Sequence, residues 1–534
     1  MKTTPLLAEN QHAREDTPKR VLIVGAGPTG LTAAAFLAKQ NIEFDLIDAR
    51  AGPVDESRAL GVHARTLEFM SMLGLDGEFI AAGHPTRYMT FHRGARKLFK
   101  LDFNSIAGQT DYPYMLVLPQ SKSERILAGH LTRVGAAPRW QSVLKNFSQD
   151  ETGVTADIAQ ADGQLVTRRY SYLIGCDGAG SMVRTRLGID FEGETYPLRF
   201  LLSEVKVGED AIDRSSSHVF MGSKTTVAVI PQPEGVYRVV GPDFSAGMDS
   251  TDASGATNVE FSDFEKFLKD NDLLQHVSLD QPSRLVSYRI HKRVAAQFGK
   301  GRVFIAGDAA HIHSPAGGQG MNTGLNDVAN LTWKIAAVLD GSADASLLES
   351  YEAERRPAAL SIVTNADAAM MKVVSRKLGP RFFFDYIAPL MTRFYQPSPL
   401  LAAMAQISWS YRPHGAASAA GPKEGPAPGS RLANHALRGG GYSNHRLGGK
   451  RHVAFISGEG AGAEAYRRLF SSWRSEQQPE LFSFERPLQH NGGKSRFEGI
   501  VLSRPDGYIA ATYPADALRA TEPLHAPYPH VARI

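Results

Sequence analysis

The chain has one cysteine, Cys176, in 534 residues. A single thiol excludes a disulfide framework, a Cys-x-x-Cys redox pair and a thiolate zinc centre, and it fits a reducing cytoplasm. Charge of one sign is equally scarce. Lys and Arg number 59 against 55 Asp and Glu, a net +4, which is too dilute over so large a surface to track a phosphate backbone. No nucleic-acid partner is therefore expected. Uncharged apolar runs of about 18 residues, the length needed to cross a bilayer, are missing. The opening "MKTTPLLAENQHAREDTPKR" lacks the apolar core of a signal peptide. The reading is a cytoplasmic protein without integral membrane contact, led by a loose polar segment over 1–19.

What the chain does have is 43% hydrophobic residues, enough to bury more than one core, so two or three domains are expected. In "RVLIVGAGPTGLTAAAFLAKQNIEFDLID", a buried-type strand (Val21 to Val24) is followed by Leu31, Ala34, Ala35 and Ala38 at helical spacing, and "IEFDLID" reads as a second strand. This is a βαβ unit. Further along, "TTVAVIPQPEGVYRVVGP" alternates in the manner of antiparallel sheet. From Gly324 to Asp340, the residues Leu325, Val328, Ala329, Ile335, Ala336 and Leu339 mark one face of a long helix. "RPHGAASAAGPKEGPAPGS" (412–430) reads as a linker that announces a separate C-terminal unit. In that unit "RHVAFIS" and "GIVLSRPDGYIAATY" look like strands, the second with a Pro-Asp-Gly turn. No internal repeat is present.

Gly25, Gly27 and Gly30 form G-x-G-x-x-G between strand and helix, and Asp48 closes the next strand about 20 residues on. The glycines permit a tight turn, close approach of a pyrophosphate and close helix-strand packing, and the helix N-terminus offers free N–H groups. Asp48 would accept from ribose hydroxyls. "GRVFIAGDAAHIHSPAGGQGMNTG" (Gly301 to Gly324) ends another strand at Asp308, suited to a polyol chain, and its glycines leave room for a flat ring. A helix starting near Gly320 to Asn322 would aim N–H groups at that ring and favour negative charge there. A flavin meets all three demands. His311 and His313 could be read as metal ligands or a base, but a structural role at a helix entry is preferred and no metal site is expected.

"VLIVGAGPTGLTAA", "YLIGCDGAGSMVR" (Tyr172 to Arg184) and "RVFIAGDAAHIHSPAGGQGMNTGLNDVANLTWKIA" together resemble the three fingerprints of the class A flavoprotein aromatic hydroxylases, the para-hydroxybenzoate and phenol hydroxylase group. The resemblance runs from about Arg20 to Met370. It implies a Rossmann-type α/β FAD-binding domain (20–198 and 285–375) with an inserted antiparallel substrate-domain sheet (199–284). A helical connection (376–411), the linker and a thioredoxin-like domain without CxxC (431–534) complete the expected organisation. By resemblance, Gly25, Gly27, Pro28, Thr29, Gly30, Asp48, Ala49 and Arg50 hold the ADP half of a tightly but noncovalently bound FAD. Arg58 meets the pyrophosphate side, Gln120 contacts flavin, and Asp177 and Gly178 serve FAD and the nicotinamide cofactor. Asp308 takes the ribityl chain. Gly317, Gly318, Gly320, Met321 and Asn322 border the ring, and the Pro315 carbonyl faces the reactive edge, which makes Pro315, Gly317 and Gly318 the expected catalytic positions.

The activity implied is reduction by NADPH or NADH, addition of O2 at flavin C4a and transfer of one oxygen from the hydroperoxide to a phenolic or other electron-rich small aromatic. A second G-x-G-x-x-G is lacking, in keeping with a transient nicotinamide visitor. Halogenation is disfavoured because Trp140, Trp333, Trp409 and Trp473 form no W-x-W-x-I-P. The alternative from another class is a redox sensor or an NAD(P)H oxidase without productive hydroxylation. His218, Tyr237 and Tyr288 are polar candidates for the substrate roof. Cys176 and Trp333 read as buried packing, and "RFFFDY" (Arg381 to Tyr386) reads as packing or oligomer contact, which allows a homodimer.

Overall fold

The computed structural model describes residues 20–518 apart from 56–58, 207–211, 223–224, 244–255, 259, 271–281, 283, 315, 374–377, 412–425, 459–462, 472, 474–476, 491–494 and 517. The expected leader (1–19), most of the linker, Arg58 and Pro315 lie outside the described residues.

Short runs of Val, Ile and Leu at Arg20–Val24, Glu43–Ile47, Tyr172–Gly175 and Val303–Ile305 form a parallel sheet, and Gly299–Lys300 adds an antiparallel edge strand. Their residues are buried nearly throughout, as expected for a sheet covered on both faces. The main helices are α1 (Pro28–Lys39), α2 (Ala64–Leu73), α3 (Gln120–Arg133), α4 (Met182–Arg186), α5 (Phe261–Asp270), α6 (Gly320–Leu339) and α7 (Glu349–Val373). Among the described residues no helix is long and apolar enough to cross a membrane.

α6 begins where the sequence places it. Its burial is wider than one face, since every residue from Asn322 to Ala337 is buried. The apolar stripe fills one side, and Asn322, Asn326, Asn330 and Lys334, four residues apart, form a buried polar stripe on another.

A second, nine-stranded sheet has Phe191–Lys206, Val236–Asp243, Thr226–Pro231 and Ser216–Met221 at its centre. It is wider than the 199–284 insertion. Tyr88–Arg93 and Arg96–Asp102 join one side, Arg284–Ala295 runs past the expected end, and the two-residue strand His311–Ile312 pairs with Arg293 and Val294. Hairpin and register pairing recruit strands from both halves of the flanking sequence, which local alternation could not reveal.

The C-terminal unit is a four-stranded sheet ordered Glu480–Ser483, Val453–Ser457, Gly499–Ser503 and Ile509–Pro514, the first pair parallel and the others antiparallel. It is not merely tethered. Its Pro-Asp-Gly turn packs against α2 so closely that a Cβ on Gly507 would stand 2.8 Å from Met72 Cε.

Candidate functional site

Register alignment puts Val24 beside Ile47 and Gly175, and Gly175 beside Ile305. The segments that follow these four residues carry Gly25, Asp48, Asp177 and Asp308. These four positions therefore gather at one carboxyl edge of a parallel sheet, where open α/β folds bind ligands.

The three glycines of the first loop differ in what surrounds them. A Cβ on Gly25, whose φ is +101°, would lie 2.3 Å from Cys176 O, and one on Gly30 would lie 1.8 Å from Gly25 O. These two are required for packing. A Cβ on Gly27 meets nothing within 4 Å, so this position opens outward at the N-terminus of α1, where the N–H groups and positive dipole end favour a phosphate. Buried Cys176 forms the floor of the loop. Thr29 fills the gap at Gly307 and Gly324, where added Cβ atoms would lie 2.5 and 2.6 Å from its Oγ1. Its side chain acts as a spacer between α1 and α6.

Asp48 is buried, and both of its oxygens are engaged. Ala26 N donates to it at 2.6 Å, Arg50 N at 2.8 Å, and the Arg50 guanidinium at 3.0 and 2.9 Å. Burial opposes ionisation, but the Arg50 hydrogen bonds and charge, with the Ala26 N–H, hold the carboxyl below its usual range. Arg50 continues to Glu124 at 3.4 Å, and Glu124 accepts from Gln120 at 3.0 Å. Gln120 Oε1 in turn receives Ala59 N at 3.1 Å. Gln120 thus braces the residue next to Arg58. Ala49 is exposed, while Pro28, Arg50 and Gln120 are half-buried.

The Asp177 carboxylate is engaged within the fold. It accepts from Ser181 Oγ at 2.5 Å and Val183 N at 3.0 Å, which braces the first turn of α4, while Gly178 turns with φ +80°. Arg184, which the sequence reading did not single out, donates to Ala309 O and Ala179 O at 2.8 Å each and so clamps the second fingerprint onto the turn that carries Asp308. Its signal was the "SMVR" that ends the motif. Asp308 is exposed although 303–307, 309 and 310 are buried.

Behind Asp308, Asp327 accepts from Gly307 N at 3.1 Å, His311 Nε2 at 2.7 Å and Arg355 Nε at 2.8 Å. Burial opposes its charge, but His311 and Arg355 overcome this and keep its carboxyl low. His311 is a structural partner, and among the described residues no group of His, Cys, Asp or Glu could hold a metal ion.

Gly317 and Gly318 have φ of +73° and +64°, half-buried before the first turn of α6 with Gly320 and Met321. Asn322 does not offer its side chain to a ring. Its Oδ1 accepts from His63 N and Thr66 Oγ1, and its Nδ2 donates to Gly61 O and Gly318 O, all within 2.7 to 2.9 Å. His63, also unforeseen, meets Gly317 O through Nε2 at 2.7 Å. Burial outweighs this bond and lowers the His63 pKa to about 4, so it is neutral and Nε2 is the donor.

The register of the large sheet sorts the roof candidates. His218 and Tyr237 share a face with Phe220, Val229 and Val239, packed with Phe264 of α5. Tyr288 lies on the opposite face with Phe200, Val240 and Val219. That face also carries Met221, which belongs to the same core as the parallel sheet.

An open phosphate cradle at Gly27, an exposed acid at a strand end two places along the same sheet and a long helix that starts at this edge fit FAD, and they define a dinucleotide-binding flavoprotein. Residues 19–366 match the family model described as FAD binding domain, and the chain belongs to that family. It is 36% identical over 380 residues to pentachlorophenol 4-monooxygenase of Sphingobium chlorophenolicum, covering 69% of this chain and 66% of that protein, just under two thirds of the relative's length. Rifampicin monooxygenase of Streptomyces venezuelae is 35% identical over 374 residues, 70% of this chain and 75% of that one. Among solved structures, the OxyS anhydrotetracycline hydroxylase from Streptomyces rimosus superposes with a TM-score of 0.73 at 29% identity, covering 93% of this chain and 96% of that one.

Proposed function

We propose that the protein uses NADPH or NADH, O2 and bound FAD to hydroxylate a phenolic or other electron-rich aromatic. The observation that carries this reading is the shared sheet edge at which Gly27 opens outward and Asp308 is exposed. FAD, when bound, accepts hydride from the nicotinamide and activates O2 for transfer to the ring. The chain's own part is to bind, orient and keep dry. Gly27 and the α1 N-terminus receive the pyrophosphate, Asp48 with Arg50 the adenosine side, and Asp308 the ribityl hydroxyls. The first turn of α6 supplies N–H groups where negative charge develops, and the His63–Asn322 lattice fixes the Gly317–Gly318 turn beside it.

The wall that carries Phe200, Tyr288 and Val240 takes the substrate ring and excludes water. His218 and Tyr237 are not part of it. Pentachlorophenol, named in one relative, is a phenol, which supports the substrate class. The C-terminal unit, a strand-helix-strand with a hairpin beside it, supports a thioredoxin-like layout without thiol chemistry.

The test is NAD(P)H oxidation with and without a panel of phenols, followed by product analysis under labelled O2. Phenol-accelerated oxidation with one labelled oxygen in the ring is the expected result. Oxidation that is indifferent to every aromatic and yields only H2O2 would replace this reading with an oxidase.

A further inference from the structure

The two faces of the large sheet differ in how they are covered. One is closed, with Leu201, Val229 and Val239 buried in a core shared with Phe264 of α5. On the other, the face that carries Met221 toward the core of the parallel sheet, Tyr288 and Val240 are only half-buried. Register divides this second face into three successive rows. Phe200 stands opposite Tyr288, Leu202 opposite Val240, and Glu204 opposite Arg238. The first row is aromatic, the second aliphatic, and the third is an ion pair.

Arg238 is 2% exposed and donates to Glu204 Oε1, which also accepts from the Gln232 side-chain amide at 3.4 Å. A buried ion pair adds little net stability, since apolar residues of similar volume serve as well or better. The packing of an apolar wall therefore does not call for one. The Glu204 side chain is 21% exposed, so the pair is not sealed from the open side of the wall. Buried polar groups at the end of an apolar pocket select a ligand that matches them, because a ligand that does not leaves them unpaired.

We propose that Arg238 and Glu204 determine specificity by meeting a second hydroxyl on a phenol of two or more rings whose reacting ring lies against Tyr288. This rests on the hydroxylase reading above and adds the length and polarity of the substrate. Phe200 and Glu204 are four residues apart, about 13 Å at the rise of a strand, farther than one ring reaches. The Leu202–Val240 row between them offers apolar contact alone. A hydroxyl is the group that uses both members of the pair, since its oxygen accepts from a guanidinium and its hydrogen is donated to a carboxylate. A carboxylate at that end would meet the like charge of Glu204, and a bare ring would take water from the pair without replacing its hydrogen bonds.

The experiment is calorimetric titration of the full-length, FAD-loaded protein with para-phenylphenol and with the corresponding para,para′-biphenyldiol, alongside NAD(P)H oxidation with each. The parent should bind the diol at least about tenfold more tightly. An Arg238→Met, Glu204→Leu double variant removes both charges at similar volume. It should lose that preference, bind para-phenylphenol no more weakly than the parent, and keep its FAD content and melting temperature. Arg238→Gln with Glu204→Gln retains neutral hydrogen bonding and should keep part of the preference, which separates recognition from a packing defect. Phenol itself, too short to reach the third row, should bind all three proteins alike. Equal affinity of the parent for the two biphenyls, or a preference that survives removal of both charges, would overturn the proposal. Should the diol preference follow this pattern while neither compound accelerates NAD(P)H oxidation, the hydroxylase reading fails and the assignment of the two side chains stands.

Discussion

Two turns in this protein place an aspartate beside glycine at the end of a strand, and they have opposite fates. At the flavin edge, the Gly307–Asp308 turn follows Val303–Ile305 with the carboxylate exposed, and Gly27 nearby opens into space. In the Pro505–Gly507 turn, Asp506 is 3% exposed and takes Arg504 at 2.6 Å and Asn330 at 3.3 Å. Arg504 also holds Glu354 through two bonds of 2.8 Å, Lys334 meets the same carboxylate at 3.0 Å, and Arg431 reaches Glu68 at 2.7 Å. Burial opposes the Glu354 charge, but Arg504 and Lys334 overcome it and keep its carboxyl well below the usual range. The two turns share a residue pair and differ in burial, Asp506 enclosed among cations and Asp308 exposed at the surface.

The sharpest break in this comparison is to remove one side of the filled seam. A chain ending at Tyr411 would strip Arg504 from Glu354 and Arg431 from Glu68, leaving each carboxylate one buried cation, Lys334 or Arg65. At about 3–5 kcal/mol for each broken buried pair, the loss approaches the lower end of a typical total stability of about 5–15 kcal/mol. Insoluble protein is expected, and Arg504→Ala alone should cost about 3–5 kcal/mol by denaturant titration. A soluble truncated protein that keeps its FAD would show that the seam is dispensable.

Next comes a pair of glycines within the open site. Gly30→Ala drives a methyl into Gly25 O and should abolish folding, whereas Gly27→Val should leave the apo protein's melting temperature intact and lose FAD. Flavin fluorescence with circular dichroism separates the two. Equal damage from both variants would erase the distinction between packing and ligand glycines.

Asp308→Ala should weaken FAD retention by about 1.5–3 kcal/mol, the range for a hydrogen bond to a charged group, with little change in folding. Asp506→Ala should do the reverse. Titrating FAD into the two apo variants and melting each one checks both halves.

The most gradual effect is in pH. The folded pKa of His63, about 4, lies below its ordinary 6.5 because burial disfavours the cation. The unfolded chain therefore takes up the proton first, and stability is lost as pH falls from 6.5 toward 4. His63→Gln should flatten that slope by up to about 1.4 kcal/mol per pH unit. Glu354 acts lower on the scale. With its folded pKa depressed from 4.5, its contribution is complete above that value and disappears only as acid protonates the seam.

Much of the flavin half was legible in the sequence because its signals are local. The strand-glycine-helix pattern, the acid at the end of the next strand and the start of α6 at Gly320 are each set within about 30 residues by backbone geometry and helix periodicity. The same stretch of letters could not say that three of the four partners of the Asn322 side chain lie more than 250 residues away, or that Asp177 braces the first turn of the helix after it. Both look the same on paper as an acid or amide facing a ligand.

By itself, then, the sequence determined the βαβ core, the glycine loop with its dipole and the long apolar face of α6, because a few neighbouring residues fix each of them. Only the tertiary structure decided which carboxylates are buried, which face of the inserted sheet Tyr288 occupies, and that the Pro-Asp-Gly turn is buried against α2. Those outcomes depend on which distant cation or sheet register reaches each group first. Burial makes the choice strict, since a charge removed from water must find its partner within the fold.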